Sequence, residues 1–514
     1  MDVPLAFKNR NIVEIFRNII VAFTVSFPYT NKKIRKSQVG VATILPAGTT
    51  QKGYGTKMEQ KQLQEQISEN VNICSAPSEL KITDIRVANI DGAPKHCPLI
   101  KVYTNQGLVG YGEVRDASSS TYALMLKSRL VGENPCNVDK LFRRIKQFGG
   151  HSRQGGGVSG IEIALWDLAG KAWGVPLWQM LGGKFRDKVR MYCDTDVDGK
   201  HTGTDMGHAL KKRMEQGFTF LKMDLGIELM LDEPGCLNAP LGMLEDIKKY
   251  SMKAINHQKG SIDIDMMLGK NYETFTIPHY ATGIHLTQKG MDYLENYVRE
   301  VREVIGYEVP LAIDHFGHVC IEDCILFAKR LEKYNIAWME DVAPWQYTSH
   351  FAKIAHSCNV PICTGEDIYL AENFEPLMAS GGVSVVHPDI LTVGGAMEMK
   401  KLGNLCDKYG VAMAIHMAES PIACMAAIHA AAAVQNILAV EFHSVDIPWW
   451  NDLALGIDNP IFDNGFVHVP DKPGLGIDGL NEELIAEHIH KRYPGQWEPT
   501  TQWDNEWAND REWS

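Results

Sequence analysis

The sequence predicts an α/β protein in which a small α+β unit precedes a (β/α)8 barrel. After residue 188, eight short apolar strands alternate with stretches long enough to form helices, which is the rhythm of a barrel of parallel strands. Before that point, alternating apolar and polar residues flank a turn sequence and are followed by helical periodicity. Several of the later strands end in acidic residues, which indicates a functional site at one rim of the barrel.

The composition narrows the class of protein. Of the 514 residues, 45% are hydrophobic and 22% are charged, which excludes a disordered, collagenous or fibrous chain. The net charge of −12 disfavours general nucleic-acid binding, so a small-molecule ligand is expected. Eleven cysteines without a repeating pattern indicate reduced thiols and a cytoplasmic setting. No apolar run reaches the ~18 to 20 residues of a membrane span, so no membrane partner is expected.

Residues 1–79 are expected to form a poorly ordered extension, because they show no sustained hydrophobic period. The alternative is an over-extended start, with Met58 as the true initiator. The apolar stretch at 19–27 resembles a signal peptide only weakly, since Glu14 precedes it and no small-residue cleavage site follows.

The α+β unit is expected over residues 80–187. Alternation begins at Lys81, and Thr104-Asn-Gln-Gly between strands at 99–103 and 108–114 is typical of a hairpin turn. A Gly-rich loop at 149–157 precedes the last predicted helix, whose pattern is strongly amphipathic. The helical patterns cover residues 122–130, 138–147 and 161–172.

The barrel is expected over residues 188–450. Its predicted strands are residues 189–194, 220–225, 310–314, 336–340, 362–366, 384–389, 411–416 and 439–442. One interval contains roughly sixty extra residues, at about 227–290. An insertion after a strand end lies on the catalytic face, so this segment is a candidate lid, and a peripheral or oligomer-contact loop is the alternative.

Three carboxylates end consecutive strands of this series. Asp314, Glu340 and Glu366 follow one another at intervals of 26 residues, about one β/α unit, so they should meet at one rim. Any one of them alone would be read as a helix cap or a salt-bridge partner. Three converging carboxylates repel one another unless a cation joins them, and hard oxygen ligands suit Mg²⁺. We therefore expect a Mg²⁺ site.

Two further strand ends carry groups suited to proton transfer. Asp389 and His416 end neighbouring strands, where the carboxylate would hold the imidazole in one tautomer as a general base. A core histidine is the alternative for His416. On the second strand, Lys222 and Asp224 share one side by alternation. Lys222 is either an acid/base group or a cation that neutralises the carboxylates.

These residues lie within motifs that resemble the mandelate racemase-like branch of the enolase superfamily, and in particular its galactonate and mannonate dehydratases. The resemblance extends from Leu80 to Ser514 apart from the insertion. Besides the three carboxylates, its marks are Ser159-Gly-Ile-Glu-Ile-Ala-Leu-Trp-Asp-Leu-Ala-Gly-Lys, His387-Pro-Asp-Ile-Leu-Thr-Val-Gly-Gly, Ile415-His-Met-Ala-Glu-Ser-Pro-Ile and Pro470-Asp-Lys-Pro-Gly-Leu-Gly-Ile-Asp.

The resemblance implies an enolase-like fold, with the α+β unit capping a modified barrel and residues 451–514 returning to the cap. It implies one Mg²⁺ per subunit, held by the three carboxylates, and a homo-oligomer between a dimer and an octamer. The substrate would be a sugar acid whose carboxylate or enolate contacts Glu441. His416 would remove the proton at C2, and loss of the 3-hydroxyl would give a 2-keto-3-deoxy acid.

Two departures from the family pattern affect the chemistry. Racemases of this branch have a Lys where this chain has Asp224, which makes two-base racemisation unfavourable here. The dehydratases commonly have a His that serves as the general acid at the position where this chain has Phe316. The general acid is therefore left open between His315, His318, His416 and a group from the insertion.

Substrate specificity is expected from two loops of the cap, at 91–97 and 149–157. His151 and Arg153 in the second loop are candidates for contacts to substrate hydroxyls or a distal carboxylate, and His318 is a further candidate. Trp345, just after the fourth strand, is a candidate floor for a sugar, with packing against a neighbouring helix as the alternative.

Two other functions stay open. A cycloisomerase or epimerase acting on a sugar acid or an anhydro-sugar acid would use the same enediolate. A non-catalytic regulatory barrel is disfavoured, because a binding role would not need three metal ligands, the Asp389–His416 pair and Lys222 together.

Overall fold

The computed structural model describes residues 75–505, except for 241, 246–282, 315, 318, 492 and 494. The predicted extension up to residue 74, most of the predicted insertion with its candidate lid, and both His315 and His318 therefore lie outside the described residues. Of the insertion, the two ends are described, and they pair as short antiparallel strands (β6, Leu237–Asn238; β7, His285–Leu286).

The cap is built on a three-stranded antiparallel sheet in the order β1-β2-β3. Its strands are β1 (Ile82–Ile90), β2 (Cys97–Thr104) and β3 (Val109–Glu113). The predicted hairpin is confirmed, because β2 and β3 are joined by the turn that follows Thr104 and pair in continuous register. The helices of this part are α1 (Thr121–Leu124), α2 (Lys127–Leu130), α3 (Val138–Ile145), α4 (Gly156–Trp173) and α5 (Leu177–Met180).

Helix α4 differs from its prediction. The pattern at 161–172 predicted an amphipathic helix, but nearly every residue of α4 is buried, including Glu162 and Asp167. The cap sheet covers one side of the helix, where a Cβ added to Gly112 of β3 would lie only 2.1 Å from the carbonyl oxygen of Gly160. The polar residues that made the pattern look amphipathic accept hydrogen bonds inside the protein, as Glu162 does from the backbone N–H of Ala396 at 2.8 Å.

The barrel is confirmed as eight parallel strands, closed by pairing of the last strand with the first. All eight predicted strands are present, although several end one to three residues early. They are β4 (Lys188–Cys193), β5 (Leu221–Asp224), β8 (Leu311–Asp314), β9 (Ile336–Glu340), β10 (Ile362–Thr364), β11 (Val385–Val386), β12 (Ala412–Ile415) and β13 (Ile437–Phe442). The helices between them are α6 (Gly203–Glu215), α7 (Gln288–Ile305), α8 (Ile321–Leu331), α9 (Thr348–Ala355), α10 (Glu375–Ala379), α11 (Ala396–Tyr409) and α12 (Pro421–Ala433).

The C-terminal segment extends the barrel sheet and then reaches the cap. Its strands are β14 (Ala454–Leu455), β15 (Phe462–Asp463), β16 (Phe466–His468) and β17 (Gly479–Leu480), followed by helix α13 (Glu482–Glu487). Strand β16 pairs antiparallel with the first barrel strand, β4. Beyond α13, the backbone N–H of Trp497 donates to the carbonyl of Val87 in β1 at 3.2 Å.

The interior of the barrel is filled by an apolar layer to which each strand contributes one side chain. The layer consists of Tyr192, Phe220, Ala312, Trp338, Cys363, Val385, Ala414 and Ala439. This layer closes the barrel below the carboxyl ends of the strands. In the part of the chain that is described, no helix is long and apolar enough to cross a membrane.

Candidate active site

The polar residues of the site form the next inward-facing layer of the barrel. Side chains along a strand alternate in direction, so the residue two positions after each apolar layer member points inward one step nearer the rim. That step leads from Phe220 to Lys222, from Ala312 to Asp314 and from Ala414 to His416. The same step on other strands gives Asp194, Glu340, His387 and Glu441. The sequence alternation thus positions the site directly above a packed, water-excluding floor.

Lys222 lies at the centre of the carboxylates. Its Nζ is 2.6 Å from Asp314 Oδ2, 2.9 Å from Glu441 Oε1 and 3.2 Å from Glu340 Oε2. Burial by itself lowers the pKa of Lys222, but these three carboxylates hold that pKa well above its usual value. Because the ammonium stays charged, the geometry favours the neutralising role over proton transfer. Asp224, two residues after Lys222 on the same strand, pairs in register with Asp314.

Three carboxylates lie close together at the rim, and Glu366 is not among them. Ligand oxygens of Asp314, Glu340 and Asp341 all lie within 4.8 Å of one another. Burial, followed by the negative charges of Glu366, Glu340 and Asp314, raises the pKa of Asp341 well above its usual value. Such a largely buried set with oxygen donors only fits a hard divalent cation, which would relieve the repulsion. Asp341 was not predicted from the sequence, and it has a left-handed backbone with a φ of 46°.

Glu366, the third predicted ligand, lies between an imidazole and a guanidinium. Its Oε2 lies 3.3 Å from His416 Nε2, and its Oε1 lies 3.3 Å from Arg115 Nη2. Burial raises the pKa of Glu366, but His416, Arg115 and Lys222 more than offset this and hold that pKa far below its usual value. Glu366 is therefore an anion placed between the carboxylate group and the histidine.

The predicted pair of Asp389 and His416 is formed. His416 Nδ1 lies 2.6 Å from Asp389 Oδ2, and a β-bridge joins the two residues across neighbouring strands. The contact leaves Nε2 of His416 facing the carboxylates. Burial raises the pKa of Asp389, but Arg115 and His416 lower that pKa by more than burial raises it. The carboxyl of Asp389 therefore stays ionised. An ionised Asp389 keeps the proton of a neutral His416 on Nδ1 and leaves Nε2 free to accept one.

Arg115 connects the cap to this pair. It follows β3, is fully buried, and places Nε 2.8 Å from Asp116 and 3.5 Å from Asp389. The chain can approach so closely because a Cβ on Gly156, at the start of α4, would lie 2.4 Å from the backbone nitrogen of Arg115. The Gly-rich loop therefore serves close packing between the cap strand and α4.

A buried histidine of the same layer supports two of the acidic residues. His387 Nδ1 lies 2.5 Å from Glu340 Oε1, and its Nε2 lies 3.4 Å from Glu441 Oε2 and contacts the hydroxyl of Tyr192. Trp338 of the apolar layer donates from Nε1 to Glu340 Oε2 at 2.9 Å. Glu340 and Glu441 are thus held in position by residues that do not reach the open end of the barrel.

The predicted specificity residues lie in the cap and at the rim. Arg153 Nη2 lies 3.3 Å from Asp116 Oδ2, so its guanidinium already has a carboxylate partner. His151 is exposed, accepts a hydrogen bond at Nδ1 from the backbone of Tyr369 at 3.1 Å, and contacts the ring of Trp345 at 4.4 Å between centroids. Trp345 also packs against the hydrophobic core, which agrees with its predicted packing role.

Several residues of the site were missed by sequence reasoning. Arg115, Asp341, His387 and His443 were absent from the predicted set, although strand alternation from Val385 and Glu441 would have found the two histidines. At the position where relatives are expected to place an acid, Phe316 is buried and stacks on Phe327 with ring centroids 5.0 Å apart.

The chain matches two family models and several named relatives. The model described as mandelate racemase/muconate lactonizing enzyme, N-terminal domain, matches residues 78–182, and the model described as enolase C-terminal domain-like matches residues 205–483. D-xylonate dehydratase of Haloferax volcanii is 30% identical over 417 residues, which cover 80% of this chain and 89% of that protein. D-galactonate dehydratase of Pectobacterium atrosepticum is 25% identical over 79% of this chain and 94% of its own length.

A solved structure gives the same result for the fold. The crystal structure of a mandelate racemase/muconate lactonizing enzyme-like protein from Rubrobacter xylanophilus superposes with a TM-score of 0.66 at 28% sequence identity, covering 82% of this chain and 99% of that chain. The resemblance seen in the sequence motifs is confirmed. The chain belongs to the mandelate racemase/muconate lactonizing enzyme family of the enolase superfamily.

Proposed function

We propose that the protein is a Mg²⁺-dependent sugar-acid dehydratase that converts an aldonate into a 2-keto-3-deoxy acid. The observation that carries the proposal is the placement of His416 Nε2, which is oriented by Asp389 and lies 3.3 Å from Glu366 at the edge of the carboxylate group. A base beside a cation site is what removal of a proton next to a carboxylate requires. The two relatives are named as sugar-acid dehydratases, which supports this class of substrate.

The metal site is assigned by donor chemistry. Members of this superfamily generally use a divalent metal ion, and the barrel holds a suitable acidic group. Asp314, Glu340 and Glu366 would hold the ion, with Asp341 beside them. When bound, Mg²⁺ would stabilise the negative charge that develops on the carboxylate of the substrate.

The residues of the chain divide the remaining work. Lys222 offsets the charge of Asp314, Glu340 and Glu441, so that an anionic substrate can enter an acidic barrel. Glu441 would contact the substrate carboxylate or the enolate that follows from it. His416 accepts the C2 proton at Nε2, while Asp389 stabilises the imidazolium that forms.

Product analysis tests this proposal. The protein is incubated with Mg²⁺ and a panel of aldonates that includes D-xylonate and D-galactonate, and 2-keto acids are trapped with semicarbazide. We expect a 2-keto product from at least one member of the panel. Exchange of the C2 proton with solvent without a 2-keto product would instead favour an epimerase or a cycloisomerase.

A further inference from the structure

His443 is the next inward-pointing residue after Glu441, one layer nearer the open end of the barrel. Its side chain is 22% exposed, and its ring centroid lies 5.8 Å from that of His416. Its Nδ1 lies 3.8 Å from Asp194 Oδ2, a residue of the first barrel strand end. His443 therefore reaches the mouth of the site beside the proposed base.

One nitrogen of this ring has no hydrogen-bond partner among the described residues. His443 Nε2 is buried and lies 3.4 Å from Glu441 Oε1, but the two atoms are not aligned for a hydrogen bond. A buried nitrogen that has a charged neighbour but makes no hydrogen bond is uncommon and is typical of a group that serves a ligand.

The position expected for a general acid is occupied by a side chain that cannot donate a proton. Phe316 is buried and stacked, as described above. On the basis of the proposed function, we infer that His443 is the general acid that protonates the departing 3-hydroxyl, while His416 removes the C2 proton.

The distance between the rings of His416 and His443 fits a base and an acid that act on neighbouring carbons. Each catalytic nitrogen must come within about 3 Å of the atom that it serves. The C2 hydrogen and the 3-hydroxyl oxygen are carried by neighbouring carbons, so two imidazoles 5.8 Å apart at their centroids can serve both. Both rings approach from neighbouring strands, so the proton and the hydroxyl leave from the same side of the substrate.

The charges around His443 favour its protonated form. Burial and the nearby Lys95 lower the pKa of the imidazole, but Glu441 and then Asp194 raise it by more, so that the pKa lies above its usual value. A protonated imidazole can give its proton to a leaving group, whereas the neighbouring His416 must be neutral to accept one.

The step balances within the site. His416 takes the C2 proton, and the C–H electron pair is delocalised into the substrate carboxylate. That pair then forms the C2–C3 double bond while the C3–O bond breaks. The leaving oxygen takes the proton from His443 Nε2 and departs as water. The resulting enol gains a proton at C3 and loses the proton of its 2-hydroxyl, which gives the 2-keto-3-deoxy acid. His416 releases the C2 proton to solvent, and His443 regains a proton from solvent.

The His443→Asn variant separates this role from that of the base. With an aldonate that the wild type dehydrates, we expect C2 proton exchange in deuterated water to stay within about threefold of wild type, while formation of the 2-keto acid falls about 10²- to 10⁴-fold. The 3-deoxy-3-fluoro analogue of the same aldonate needs no acid, because fluoride leaves unprotonated. The variant should therefore eliminate fluoride at nearly the wild-type rate.

The fluoro substrate also controls for folding, and exposed His468→Asn is the matched substitution, expected to leave all three rates unchanged. If His443→Asn formed the 2-keto acid at the wild-type rate, the inference would be overturned. Equal loss of exchange, dehydration and fluoride elimination would also overturn it, in favour of a structural role. A wild-type protein that neither exchanges nor dehydrates any aldonate would contradict the proposed function, and this inference with it.

Discussion

Arg115 shows how much of the site depends on a single side chain from outside the barrel. It has no exposed surface, and its guanidinium lies within 3.5 Å of carboxylate oxygens of Asp116, Glu366, Asp389 and Glu419. Burying that many carboxylates is costly unless a cation neutralises them. Arg115 supplies the cation and so keeps Asp389 ionised, which in turn fixes the tautomer of His416.

Replacing Arg115 by Met tests this dependence. The variant leaves buried carboxylates without their cation, so we expect the free energy of unfolding to fall by about 3 to 5 kcal/mol, measured by urea denaturation. Exchange at C2 should fall with it. Arg143→Met removes an exposed arginine paired with Asp139 and should cost less than about 1 kcal/mol. Equal losses in the two variants would show that Arg115 is not the central cation.

At the scale of the elements, strand β3 of the cap domain contacts the N-terminus of the barrel helix α12. Ser420 is the N-cap of α12, where its hydroxyl accepts from the backbone N–H of Ile422 at 3.2 Å. Glu113, the last residue of β3, accepts from the backbone N–H of Ser420 at 3.1 Å and contacts its hydroxyl. The loop that carries His416 leads directly into α12. The cap therefore holds the start of this helix and, through it, the base.

The pH dependence of stability should report this contact. Burial raises the pKa of Glu113 to about 7 from 4.5, so the folded protein binds a proton that the unfolded chain releases. Stability from this group is complete below pH 4.5 and is lost as the pH rises through about 7. Glu113→Gln keeps both hydrogen bonds if the Ser420 hydroxyl reverses, and it stays neutral. Its unfolding free energy, relative to wild type, should rise between pH 5 and 8 by up to about 3 kcal/mol.

Exposed Glu483→Gln is the control for that experiment, since it should show no such trend. A difference between Glu113→Gln and wild type that stays constant from pH 5 to 8, measured by denaturant unfolding at each pH, would mean that Glu113 is ionised throughout.

At the scale of the whole molecule, the net charge of −12 is not spread evenly over the chain. Part of the acidity is concentrated at the carboxyl ends of the barrel strands, where Lys222 and Arg115 offset it only in part, and where Asp341 is under repulsion from its neighbours. A divalent ion at this place would neutralise the group. Metal binding should therefore stabilise the whole fold as well as the reaction.

Thermal unfolding measures that stabilisation. Mg²⁺ at a hundred times its dissociation constant should add about 2.7 kcal/mol and raise the melting temperature. Asp314→Asn should reduce the Mg²⁺-induced rise in melting temperature. Asp139→Asn, at an exposed helix position, should leave that rise unchanged. The same Mg²⁺-induced rise in Asp314→Asn and wild type would place the ion elsewhere.

The sequence predicted the barrel well because strand alternation and the β/α interval are local signals. Asp314, Glu340, His416 and Lys222 could be placed on one rim from those signals alone. Arg115 could not, because Glu366, Asp389 and Glu419, three of its four carboxylate partners, lie more than 250 residues away in the chain. Helix α4 was predicted to be amphipathic because its polar residues look solvent-exposed until their buried partners are known.

One measurement tests the central claim most directly: proton exchange at C2 of a dehydrated aldonate in deuterated water, followed by NMR with wild type and His416→Asn. Wild type should exchange only with Mg²⁺ present. His416→Asn should lose exchange by about 10²-fold or more, because His416 is the imidazole that Asp389 orients to accept the proton. Exchange at the wild-type rate in His416→Asn would contradict the assignment of the base and the mechanism built on it.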